Sequence, residues 1–159
     1  MANTQAMCTS FMNELMGAQH NFTSTNPART INTVDTFKAA LYLASATVNA
    51  STTVYSTTGE VTGTGYTAGG INVTNATAPI GTNSSATAGV AYWTPSASLV
   101  YTTVTLTTAF DTVLIYNSSQ GNRAVSVHTF GSQTITAGTF TLTMPANGTT
   151  TALLRLATT

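Results

Sequence analysis

From Thr36 onward the spacing of apolar side chains changes to every second position, in segments separated by turn-rich stretches, and no long helical spacing interrupts them. Val104 and Leu106, for example, are flanked by Thr103, Thr105 and Thr107, and Phe140, Leu142 and Met144 are separated by Thr141 and Thr143. Side chains on extended backbone point alternately to opposite faces, so a chain with this period buries one face only by forming sheet. Threonine, which occurs 37 times in 159 residues, fills many of the intervening positions. It is β-branched, favours extended backbone, and offers a methyl to a core or a hydroxyl to water.

Individual strands follow from the same pattern. Phe37, Ala39, Leu41 and Leu43 alternate with Lys38, Ala40 and Tyr42, which reads as a strand with one wet face. Short strand-like pieces at 54–56 and 61–64 lie in a Ser-, Thr- and Gly-rich stretch, Ile71 and Val73 alternate next, and residues 75–89 carry turn formers with almost no core residues. Val100, Val104 and Leu106 mark a long strand, and residues 113–116 are apolar on both faces, as in a strand covered twice. A turn at 117–122 leads to Val125, Val127 and Thr129, with further turns expected at Gly131–Ser132 and at Gly138, and Asn147-Gly148 gives a type I′ hairpin signal. Short strands separated by frequent turns predict an all-β fold, an antiparallel β-sandwich or jelly-roll-like barrel. Its inner faces are expected to hold Phe37, Leu41, Val104, Leu106, Ile115, Val127, Phe140, Leu142 and Leu154.

The amino-terminal segment differs. Met7, Phe11, Leu15, Ala18 and Phe22 recur at helical spacing, Met12 and Met16 widen the stripe, Ser10 can cap its start and Gly17 can end it, so a short helix is expected near 9–18. A polar run around Pro27 separates it from the body, giving an arm or helix over 1–30 and a single β-sandwich domain over 31–159. So short a helix is marginal alone, so its stripe is expected to be buried only on assembly, with Met7, Phe11, Leu15 and Phe22 as the interface.

Only eight side chains are charged, four of each sign, and the net charge is zero. Little then holds identical copies apart, which points to an assembly component. Arg29, Lys38, Arg123 and Arg155 are scattered and balanced by acids, which excludes a basic nucleic-acid face. His20 and His128 are far apart, Asp35, Glu60 and Asp111 stand singly, and a Ser or Thr near His128 is unavoidable in so hydroxyl-rich a chain, so no catalytic set is expected. The lone Cys8 forms no internal disulfide and no metal site. Gly63, Gly65, Gly69 and Gly70 lack the spacing and lysine of a nucleotide loop and read as a turn, so no cofactor is expected. The Asn-X-Thr triplets at Asn72 and Asn147 arise from composition. No basic segment precedes an apolar core at the amino terminus, and no apolar run reaches membrane-spanning length, so neither export nor a membrane partner is expected. Tyr92, Trp93 and Tyr101 could line a glycan-binding surface, with core or rim packing as the plainer reading.

Several segments together resemble a family of small structural proteins of tailed bacteriophages. They are Phe37-Lys38-Ala39-Ala40-Leu41-Tyr42, Thr58-Gly59-Glu60-Val61-Thr62-Gly63-Thr64-Gly65-Tyr66-Thr67-Ala68-Gly69-Gly70, Leu114-Ile115-Tyr116-Asn117, Gly121-Asn122-Arg123-Ala124-Val125, Phe130-Gly131 and Gly138-Thr139-Phe140-Thr141-Leu142. The resemblance spans residues 36–156, and the glycine-containing block is its most specific part. It implies an all-β virion protein, assembled in the bacterial host cytoplasm, with no catalytic motif. Size, neutral surface and a separate amino-terminal segment favour a head decoration, or cement, protein that binds the major capsid protein and copies of itself, in trimers at three-fold positions. The alternative is a neck, tail or fibre component, with host-glycan binding as a further class.

Overall fold

The structure, a computed structural model, describes residues 3–16, 18–22, 34–75, 78–82 and 89–157. Gly17, the linker around Pro27 and the boundary at residue 30 lie outside them, as do 76–77 and 83–88 of the turn-rich segment. In chain order the elements are β1 (Ala6–Met7), α1 (Thr9–Met16), β2 (Phe37–Leu43), β3 (Ile71–Asn72), β4 (Ile80–Gly81), β5 (Val90–Trp93), β6 (Leu99–Asn117), β7 (Arg123–Leu142) and β8 (Leu154–Ala157). The fold is all-β with one short amino-terminal helix. Five strands form one sheet in the order β1-β7-β6-β2-β3 and three form another, β4-β5-β8, with antiparallel pairing between neighbours.

β6 and β7 dominate, with 19 and 20 residues joined by a tight turn. Gly121 (φ 65) and Asn122 (φ 59) adopt the left-handed conformation there, the backbone that matches the twist of two paired strands. The turns expected at Gly131–Ser132 and Gly138 do not form, because both sites lie inside β7, where the chain bulges. Ala137 (φ 47) marks one bulge on β7, and Thr103 (φ 53) marks another on β6. From Tyr101↔Phe140 to Val104↔Gly138, β6 advances three residues while β7 advances two. That extra residue flips the side-chain phase, so Tyr101 is buried and Val100 exposed before Val104 and Leu106 return inward. Asn147-Gly148 is not a hairpin either: neither residue has positive φ, and β8 pairs with β5 rather than β7.

The β2–β6 register sets Phe37, Ala39 and Leu41 opposite Asn117, Ile115 and Val113 on one face, and Ala40 and Tyr42 opposite Leu114 and Thr112 on the other. Both faces are covered, so β2 has no wet side, and residues 113–116 of β6 are buried throughout. Against the first face lie Phe22, stacked on Phe37 at 4.4 Å, and Trp93 of β5, edge-on to Phe22 at 4.9 Å. The second is covered by the excursion between β2 and β3, where Tyr55 stacks on Tyr116 at 4.6 Å.

That excursion is tied down by a buried carboxylate. Glu60 accepts hydrogen bonds from the hydroxyls of Tyr55 (2.6 Å) and Tyr66 (2.7 Å) and from the Gly69 amide (2.8 Å). Tyr116 donates to the Gly69 carbonyl at 2.8 Å, and Tyr101 to that of Ala39 at 2.8 Å. A buried carboxylate is tolerated only when so satisfied. The glycine block is therefore a strap over β6 and β2. At Gly70 (φ 69) a Cβ would collide with the Ala39 carbonyl, and at Gly63 with that of Thr105.

Leu106 is fully buried whereas Leu142, expected in the core, is half-buried. Leu106→Ala should lower the unfolding free energy by about 2–5 kcal/mol and Leu142→Ala by less than about 2 kcal/mol, read from urea midpoints. Gly70→Ala, strained in both space and φ, should cost about 3 kcal/mol.

Candidate interaction surface

The helix begins at Thr9, one residue before the expected cap, and Ser10 Oγ is buried with no hydrogen-bond partner among the described residues. Its end is a left-handed closure at Ala18 (φ 52): the Ala18 amide bonds the Leu15 carbonyl at 3.0 Å and the Gln19 amide the Glu14 carbonyl at 2.9 Å. This pair of bonds satisfies carbonyls the helix leaves open. It also turns the chain back so that His20 and Phe22 reach the same core as Phe11.

Of the four residues expected to form an assembly interface, Phe11 and Phe22 are buried in the chain's own core, and Met7 and Leu15 are half-buried against it. The stripe is therefore covered before any partner arrives, because Phe37 and Trp93 already supply it with an apolar surface. Nor is the amino-terminal segment a detached arm. β1 pairs with β7, Cys8 donates to the Val125 carbonyl at 3.0 Å, and burial pushes the Cys8 thiol up to about 12, with Glu14 adding to the effect.

A polar chain locks the segment down. Glu14 of α1 accepts from Arg123 at 2.6 Å and from His20 Nε2 at 2.7 Å; His20 Nδ1 lies 3.0 Å from the Asn117 amide nitrogen, which also donates to Asp35 at 2.8 Å. Asp35 further accepts from the Asn21 amide at 2.7 Å and from Gln120 at 3.2 Å. The arrangement suits a neutral ring that donates through Nε2 and accepts through Nδ1. Burial holds the His20 pKa below its ordinary value despite the two carboxylates. Both ring nitrogens are engaged, so the His–Glu pair positions α1 rather than presenting a base to a substrate. His128 Nε2 lies 2.9 Å from Ser126 Oγ, two residues away on β7, and burial pushes its pKa down to about 4.

An apolar groove of about 80 Å³ lies open between α1 and the three-stranded sheet. Met7, Leu15, Trp93, Leu154 and Leu156 contribute to its walls, with Phe11 and Phe22 at its base. Leu156 of β8, on its wall, is 43% exposed, and Met16 at the end of α1 is 83% exposed. Sequence reasoning treated Met12 and Met16 only as a widening of the helical stripe, yet they are its exposed part. Tyr92, Trp93 and Tyr101 do not form a glycan platform, because Trp93 and Tyr101 are buried and Tyr92 is half-buried. Compared with protein-family models, curated proteins and solved structures, the chain has no match, so the reading of this surface rests on its own residues.

Two measurements check this account. Ala18→Gly should stabilise the protein by about 0.5–1 kcal/mol, because glycine removes the strain of the left-handed closure. For pH, both histidines are held neutral in the fold, while the unfolded chain takes up their protons near pH 6.5. Their contribution is fully present above about pH 6.5 and is lost as pH falls through the lowered folded values, about 4 for His128, so the urea midpoint should drop once the pH is below about 6.5, and His128→Asn should flatten the drop.

Proposed function

We propose that the chain is a bacteriophage virion structural protein, a capsid decoration (cement) protein that binds the major capsid protein and copies of itself and reinforces the shell. The observation that carries this reading is where the few charges go. Glu14, Asp35 and Glu60 are buried and consumed by internal hydrogen bonds, leaving Asp111 as the one partly exposed acid. Arg123 is spent on Glu14. The described surface thus carries fewer charges than the composition alone suggests. A surface of threonine, serine and alanine is cheap to desolvate, and its hydroxyls can pair with backbone groups across a contact.

The apolar groove beside α1, with Leu156 exposed on its wall, provides the anchoring patch that such a contact needs. The resemblance of residues 36–156 to small phage structural proteins supports the same direction. A partner that binds only the assembled shell raises its stability by mass action, and symmetry repeats each modest contact over the particle. No step in this reading requires catalysis or a cofactor.

The test is to quantify the chain against the major capsid protein in purified particles, locate it by imaging, and compare particles with and without it under heating and osmotic shock. Copy numbers comparable with the capsid protein, and shells that fail earlier without the chain, are expected. Density confined to the neck or tail, or equally robust shells, would favour a tail-associated role. Deleting residues 1–22 should abolish incorporation by destabilising the β-domain itself, since Phe11 and Phe22 belong to its core. A truncated chain with an unchanged melting temperature would contradict that.

A further inference from the structure

The edges of the two sheets are not equally protected. In the five-stranded sheet the outer strands β1 and β3 have two residues each. Residues 128–142 of β7, beyond β1, have no strand on that side among the described residues, but the stretch is interrupted at Ala137 (φ 47) and by register shifts opposite Leu106 and Phe110. Bulges of this kind throw successive amides out of line and protect an edge. In the smaller sheet, β4 is two residues long. β8 differs: its ladder with β5 runs unbroken from Trp93↔Leu154 to Val90↔Ala157. Its backbone makes no other hydrogen bond among the described residues, and it carries no proline, lysine or bulge. Its one charged residue, Arg155, is turned to its own chain, with Nε donating to the Thr149 carbonyl at 2.6 Å.

We infer that β8 pairs with β8 of a second copy, antiparallel across a two-fold axis normal to the sheet, joining two three-stranded sheets into one of six strands. A strand is its own antiparallel complement, so a single isologous contact satisfies both open edges at once. With zero net charge, nothing at long range opposes the approach of an identical molecule. The axis keeps both grooves on one face and allows like positions to oppose each other. Centring the register on Arg155 would set guanidinium against guanidinium, which is unfavourable. Centring it on Leu156 sets the two exposed leucines together and Arg155 opposite Ala157. Leu156 lies on the sheet face that carries buried Leu154 and the groove, so this register joins the open ends of the two apolar grooves. A two-fold pair of this kind does not by itself close a trimer. The inference deepens the assembly reading by naming a self-contact, and it rests on that reading only for its biological setting.

The test uses the full chain. Directly opposed residues of an antiparallel pair have Cα atoms about 4.5 or 5.5 Å apart, and both separations fall within the disulfide span of about 4.4–6.8 Å. Leu156→Cys should therefore form a covalent dimer under mild oxidation much faster than Ser132→Cys, a control at an exposed position on the bulged β7 edge. The wild type, whose only thiol is buried at Cys8, should not crosslink. Sedimentation of the wild type should shift toward dimer with concentration, while Leu156→Lys stays monomeric and melts with the wild type at concentrations where both are monomers. Crosslinking at residue 156 no faster than at 132, or Leu156→Lys sedimenting as wild type, would overturn the pairing. A chain that crosslinks at residue 156 yet is absent from purified particles keeps the pairing and overturns the virion reading. The converse overturns the pairing alone.

Discussion

Everything in this fold is arranged to cover the inner half of the β6–β7 ladder. Residues 113–116 of β6 are buried on both faces, and a strand in that position needs a layer above and a layer below. β2 adds on one side, the excursion between β2 and β3 folds over one face, and α1 with the three-stranded sheet closes the other. Neither covering layer has enough apolar surface to stand alone. Each meets its core partners on β2 or β6.

Two buried carboxylates hold those layers in place. Glu60 gathers two phenols and a backbone amide to fix the strap, and Glu14 gathers His20 and Arg123 to fix the helix. Desolvating a carboxylate is costly, so these groups contribute specificity: a strap or helix in another position would leave a charge unpaired. Tyrosines around the strap record the environment, since burial pushes the phenols of Tyr42 and Tyr116 up to about 12 and those of Tyr66 and Tyr101 further above their ordinary range. Spending three of four acids inside strips the surface of negative charge. The buried acids thus order the covering layers and leave few charges on the described surface.

The arm expected from the helical stripe illustrates how a correct local pattern can carry a wrong tertiary assignment. Phe11 and Leu15 do share a helix face, but that face meets Phe22, Phe37 and Trp93 rather than a second molecule. The apolar side chains left exposed have no distinctive sequence signal: Met16 at the end of the helix and Leu156 on an edge strand. Their significance depends on which strands end up unpaired.

The period-two alternation was sufficient, without any structure, to establish an all-β chain with a helix confined to its amino terminus, because side-chain direction on extended backbone is a local property. It also located the doubly covered segment at 113–116, since a run apolar at every position has no face for water. Turn chemistry was less dependable. Asn122 after Gly121 makes the hairpin, whereas Asn147-Gly148 does not, and Gly131 and Gly138 lie within a strand that bulges instead of turning. Bulges are set by the strain of bending a long ribbon around a core, so Val100 and Tyr101 exchange faces for a reason that neither residue encodes. Which carboxylates are buried, where the helix stripe docks and which edge stays open among the described residues were decided by tertiary structure alone: Glu14 meets Arg123 from 109 residues away, and even the near neighbours of Glu60 reach it only because the chain folds back on itself.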